Sequence, residues 1–115
     1  MALRKPTDDE DALLDLMIAR AEAFTPSVAD RAGLSVETMN DGGMGSLRLF
    51  PPGTRGKSRV FGRRVSEWAF DDLDGVQVTV ALVVDATDRL YELELWKSDF
   101  GRLLSLPDLG APSPK

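Results

Sequence analysis

The chain has 115 residues, a net charge of −5, and neither histidine nor cysteine. That excludes an imidazole titrating near neutrality, a thiolate nucleophile and a soft ligand set for zinc or an iron–sulfur cluster. The 43% hydrophobic and 29% charged fractions are those of an ordinary globule, read here as one domain over residues 1–115. No apolar run approaches the ~20 residues that cross a bilayer.

Residues 1–6 read as a loose arm ending at Pro6, without the apolar stretch of a signal peptide. The expected compartment is cytoplasmic, which the lack of cysteine permits. Thr7 followed by Asp8, Asp9 and Glu10 has the form of a capping box, in which Thr7 and Glu10 satisfy each other's amides. The acids from Asp8 to Asp11 also sit where a helix dipole favours negative charge. Leu13, Leu14, Met17, Ile18, Ala21 and Phe24 then recur at helical spacing. Pro26 stops the helix, and Thr25 before it is pushed out of the helical region.

After a connector over Ser27–Gly33 the period changes to two. Leu34–Thr38 and Ser46–Phe50 alternate as strands around Asn40–Gly45, a turn rich in residues that tolerate positive φ. A Pro/Gly/basic loop follows over 51–59. Val60–Phe70 carries apolar residues on both parities, which predicts either a bulge near Gly62–Ser66 or cover on both faces. Asp72–Gly75 makes a hairpin loop. The next strand puts Val76, Val78, Val80, Leu82 and Val84 on one side and Gln77, Thr79, Ala81, Val83 and Asp85 on the other. Past the turn at Asp85–Asp88, Leu90–Trp96 points Tyr91, Leu93 and Leu95 inward and Glu92, Glu94 and Trp96 outward. A helical turn is expected over 98–106, with Phe100, Leu103 and Leu104 tucked back, and a loosely held tail over 107–115.

The resulting fold class is α+β, an N-terminal amphipathic helix on one face of a five-stranded antiparallel meander. The opposite face stays open for recognition.

Charge is uneven. Arg48, Arg55, Lys57, Arg59, Arg63 and Arg64 lie in a stretch without acids, so the net −5 divides into +6 there and −11 elsewhere. Such asymmetry steers charged partners, unless the stretch faces the protein's own acids. Gly56-Lys57-Ser58 resembles the end of a P-loop, but Pro51 stands where the motif needs glycine and a strand follows where it needs a helix. Asp72, Asp74 and Gly75 echo a calcium loop whose first and twelfth positions here are Phe70 and Ala81, so the bidentate ligand is missing. Glu92 and Glu94 share a face about 7 Å apart, a spacing used in glycoside hydrolysis. Cross-strand pairs with Arg63 or Arg64 compete with that reading. Trp96 beside them, with Trp68 or Phe70 added if the register allows, has the make-up of a protein-binding patch.

Met39–Leu49 and Glu92–Phe100, with the early Arg4-Lys-Pro-Thr7, resemble a family of small bacterial proteins of unknown function. The match covers most of residues 4–106 and implies a bacterial soluble domain, with no activity to carry over. By analogy, some small acidic bacterial domains of this kind are toxin-neutralising partners. The leading expectation is therefore a non-enzymatic, immunity-type protein-binding module acting through Glu92, Glu94 and Trp96. The alternative is a phosphate- or nucleotide-recognising module built on Arg48, Arg55, Lys57, Arg59, Arg63 and Arg64, with the net charge opposing nucleic acid. A carboxylate-dependent enzyme is a remote third. No metal or cofactor is expected, and exposed strand edges leave a homodimer open.

Overall fold

The structure is a computed structural model and describes residues 3–109. The chain runs α1 (Asp8–Ala19), α2 (Val28–Ala32), β1 (Ser35–Thr38), β2 (Leu47–Phe50), β3 (Phe61–Asp71), β4 (Gln77–Asp85) and β5 (Leu90–Lys97). The capping box forms: the Glu10 amide donates to the Thr7 hydroxyl and the Thr7 amide to the Glu10 carboxylate. Leu13, Leu14 and Met17 are buried from that helix. They meet Val78, Val80, Leu82 and Val84 of β4 and Leu93 and Leu95 of β5 in one core on one side of the sheet.

The fold is α+β and all five strands pair antiparallel, in the order β1-β2-β5-β4-β3. The meander holds within β1–β2 and within β3–β4–β5 but not between β2 and β3. Instead the chain crosses from β2 to the far edge of the sheet, and β5 returns to lie beside β2. The β2–β5 seam is short, with only Leu47 opposite Leu93 and Arg48 opposite Glu92. Past it Arg59, from the crossing loop, donates to the Leu49 carbonyl at 2.7 Å and to the Leu90 carbonyl. A guanidinium thus bridges the two strands where the backbone ladder ends.

β3 carries register shifts between Phe61 and Arg63 and between Arg64 and Ser66, in the span where mixed parity predicts a bulge. Gly62 is needed there, since an added Cβ would lie 2.3 Å from the Asp85 carbonyl oxygen. Trp68 and Phe70 stand opposite Val80 and Val78 and pack against the core, so neither joins the outer face. A further shift between Val83 and Val84 leaves Tyr91 half-buried beneath Arg59 instead of in the core.

Four segments differ from expectation. The helix ends at Ala19 because the Glu22 amide turns away to the Val65 carbonyl on the edge of β3, although Phe24 still reaches the core. Ser27 caps the five-residue α2 inside the expected connector by accepting from the Asp30 amide. Arg4 holds the N-terminal arm, exchanging backbone hydrogen bonds with Val36 and gripping Glu10 with its two terminal guanidinium nitrogens. Residues 98–106 form no helical turn. One β-turn closes from the Phe100 amide to the Lys97 carbonyl, and the next amides go elsewhere: Leu103 to the Gly43 carbonyl, Leu104 and Ser105 to the Asp72 carboxylate. Leu103 packs on the core while Phe100 and Leu104 stay exposed. Of the expected loose tail, residues 110–115 lie outside the described residues.

Candidate recognition face

The side of the sheet away from α1 presents its side chains in rows fixed by strand register. One row crosses all five strands as Arg64, Val83, Glu92, Arg48 and Glu37. The next is Glu67, Ala81 and Glu94, and the third Ala69, Thr79 and Trp96. Glu92, Glu94 and Trp96 therefore do stand on this face. Arg48 reaches Glu92 at 3.2 Å and Arg64 reaches Glu94 at 3.4 Å. Arg48 Nε on the same face is buried without a hydrogen-bond partner. Of the expected partners of the two glutamates, Arg64 takes Glu94, whereas Arg63 turns to the Glu22 and Ala23 carbonyls and to Asp88.

Trp96 remains 54% exposed, and Phe100 beside it is 69% exposed with ring centroids 5.8 Å apart. Phe100 has φ 62°, a left-handed conformation that costs a side-chain-bearing residue about 1–2 kcal/mol. That turn sets its ring on Trp96. Among the described residues the C-terminal segment thus extends the aromatic patch and does not roof it. Between Trp96, Glu94, Arg64 and Glu67, over a floor of Ala81 and Thr79, lies a shallow depression of about 250 Å³.

The basic stretch is mostly consumed internally. Arg48, Arg59, Arg63 and Arg64 pair with Glu92, Asp85, Asp88 and Glu94. Only Arg55 and Lys57 make no ion pair among the described residues. Arg59 is the most deeply set, its side chain 7% exposed and its guanidinium 5.0 Å from the Tyr91 ring centre. Burial raises the Asp85 carboxyl, but the Thr87 hydroxyl, the Arg89 and Thr87 amides and Arg59 outweigh it and hold the acid below its ordinary value. Arg59→Lys loses the fork that serves Asp85 and two carbonyls together. It should cost about 3 kcal/mol by leaving buried acceptors unpaired. An unchanged urea midpoint would show that the bridge contributes nothing to stability.

Lys97 escapes the sequence reading. It follows Leu93 and Leu95 on the inward parity of β5 and is 2% exposed, its ammonium 2.9 Å from Asp72, 2.7 Å from Asp74 and 2.9 Å from the Arg102 carbonyl. Burial pushes the Asp72 carboxyl up, yet the Leu104 amide, the Lys97 ammonium and the Leu73 and Ser105 amides bring it down to about 2. The calcium-like spacing of Asp72 and Asp74 therefore serves an ammonium. A lysine at the apolar parity of a strand was the available signal.

The same end of the sheet joins the two stretches that carry the family resemblance. The Ser46 hydroxyl donates to the Leu95 carbonyl and accepts from the Leu95 amide, and Asp41 accepts from the Met44 and Ser46 amides. Gly45, at φ 97°, leaves room for Leu103, whose side chain would stand 2.9 Å from an added Cβ. Among the described residues no cluster of carboxylates is placed to hold a metal ion, and no helix is long and apolar enough to cross a membrane. No curated protein matches the chain, and no solved structure does. A domain of unknown function (DUF6984) matches residues 3–107, spanning the Arg4 arm, the glycine turn and the aromatic end of β5, and the chain belongs to that family.

Proposed function

We propose that the chain is a non-enzymatic protein-binding module, of the immunity type, that engages its partner in the bacterial cytoplasm through the open sheet face. The observation that carries this reading is the exposed Trp96–Phe100 pair set beside charged rows on the sheet face away from α1. Exposed aromatics ringed by polar groups supply the anchors of protein interfaces. The depression at their foot is shallow, and Glu92 and Glu94 are each engaged by an arginine, which suits contact better than turnover.

The test is affinity capture from the source cells with the wild-type chain and with Trp96→Ser/Phe100→Ser, followed by reconstitution with the purified partner. The wild type should retain one partner at micromolar affinity or better, and the double variant should lose at least tenfold, the order of one interface anchor. Equal capture by both chains sinks the reading. The anion-binding alternative now rests on Arg55 and Lys57, the two cations of the stretch that make no ion pair among the described residues. Amide shifts confined to 53–58 on adding inorganic phosphate would favour it over the sheet face.

A further inference from the structure

The depression beside Trp96 has a composition that selects its occupant. Its floor is Ala81 and Thr79, the smallest side chains at the centre of the face, so a partner atom can approach the sheet backbone. Glu67 and Glu94 flank Ala81 in one row, on β3 and β5, two strand spacings or about 10 Å apart. The Trp96 indole stands on the adjoining row.

Two observations fix the sign of the ligand. Glu67 has no ion-pair or side-chain hydrogen-bond partner among the described residues. Glu94 is met only by Arg64, at 3.4 Å and with both side chains more than a third exposed. Across the face as a whole, Glu37, Glu67, Asp71, Glu92 and Glu94 outnumber Arg48 and Arg64, so the surface is acidic although the nearest stretch of sequence is the basic one. The indole adds attraction for a cation lying on its ring.

We propose that this depression receives an arginine or lysine side chain from the surface of the partner protein, seated over Ala81 between Glu67 and Glu94 and against Trp96. This deepens the reading of the sheet face and rests on it. Arg64 already shows that a guanidinium is accommodated beside Glu94, and the incoming cation takes the place beside the unpartnered Glu67. Phe100 packs against the indole at a tilt of 46°, with ring centroids 5.8 Å apart.

The proposal is tested on the full chain by amide and indole NMR with capped tripeptides Gly-Arg-Gly, Gly-Lys-Gly, Gly-Glu-Gly and Gly-Leu-Gly as probes. The arginine and lysine peptides should shift the Trp96 indole N–H and the Thr79, Ala81 and Glu94 amides, more weakly as salt is raised. Glu67→Gln should bind them roughly threefold more weakly, the scale of one exposed ion pair. Glu67 is a surface residue, so this variant keeps the wild-type thermal transition. Equal shifts from the glutamate or leucine peptide, or no shift at those positions from any peptide, overturn the cation assignment. Shifts at the same positions on concentrating the protein alone, without peptide, also overturn it, by making a second copy of the chain the occupant. The full-partner experiment separates the two levels. Capture that depends on Trp96 but is indifferent to salt and to Glu67→Gln ends this proposal alone, whereas capture indifferent to Trp96 ends the reading of the face.

Discussion

Val80→Asp abolishes the cooperative thermal transition. Val80 is 1% exposed, stands opposite Trp68 on one side and Leu95 on the other, and belongs to the core under α1. Replacing it forfeits about 1.5–3 kcal/mol of apolar burial. It also leaves a carboxylate in the core, where the inward-facing cation of β5, Lys97, is already held by Asp72 and Asp74, at several kcal/mol more. A small domain holds about 5–15 kcal/mol in total, so the sum consumes most of it. Thr79→Asp, one residue away on the exposed side, is the matched control and should cost less than about 1 kcal/mol of stability. Circular dichroism melts of the two variants decide the matter. A retained transition in Val80→Asp would mean that β4 presents the other parity to α1.

That contrast shows what periodicity carries and where it stops. β4 was legible because five aliphatics alternate without interruption, and four of them, Val78, Val80, Leu82 and Val84, lie in the core. The bulged stretch of β3 was legible for the opposite reason, because apolar residues on both parities cannot all face one side of a regular strand. Strand order was not legible. Alternation says which way a side chain points but not which neighbour a strand takes, and the β2–β5 seam depends on Arg59 reaching carbonyls 10 and 31 residues away. Which acids the basic stretch meets was not legible for a similar reason: Asp85, Asp88, Glu92 and Glu94 lie distant in sequence and reach it only through the fold. On the candidate face, Glu92, Glu94 and Trp96 follow from the parity of β5. Glu67 and Ala81, which complete the depression, depend on register between strands and could not be read from any one of them.

Asp72→Asn frees the C-terminal segment and flattens the acid limb of stability. The Asp72 side chain accepts from the Leu73, Leu104 and Ser105 amides and from the Lys97 ammonium, tying the β3–β4 hairpin to residues 104–105 and to the end of β5. Breaking a buried charge pair from one side costs about 3–5 kcal/mol, a fall of roughly 10–20 °C in a domain of this size. Protection of the Leu104 and Ser105 amides against hydrogen exchange should disappear before the core opens. The folded carboxyl sits at about 2 against an ordinary 3.8, so its contribution is complete above that ordinary value and is lost as pH falls toward 2. Lys97 moves the other way: Asp74 first, then Asp72, outweigh the effect of burial and raise its value above 10.5. Its contribution is therefore complete below that pH and fades only in stronger base. Urea melts at about pH 7 and pH 3 should therefore show the wild type losing stability on acidification and Asp72→Asn losing less. Lys97→Met alone leaves the carboxylate buried without its cation, while the double variant Asp72→Asn/Lys97→Met removes both charges. The double variant should be less destabilised than the two single changes added together, because neither charge is left unpaired. Identical acid curves for the wild type and Asp72→Asn would show that this carboxylate is not what the C-terminal segment is tied to.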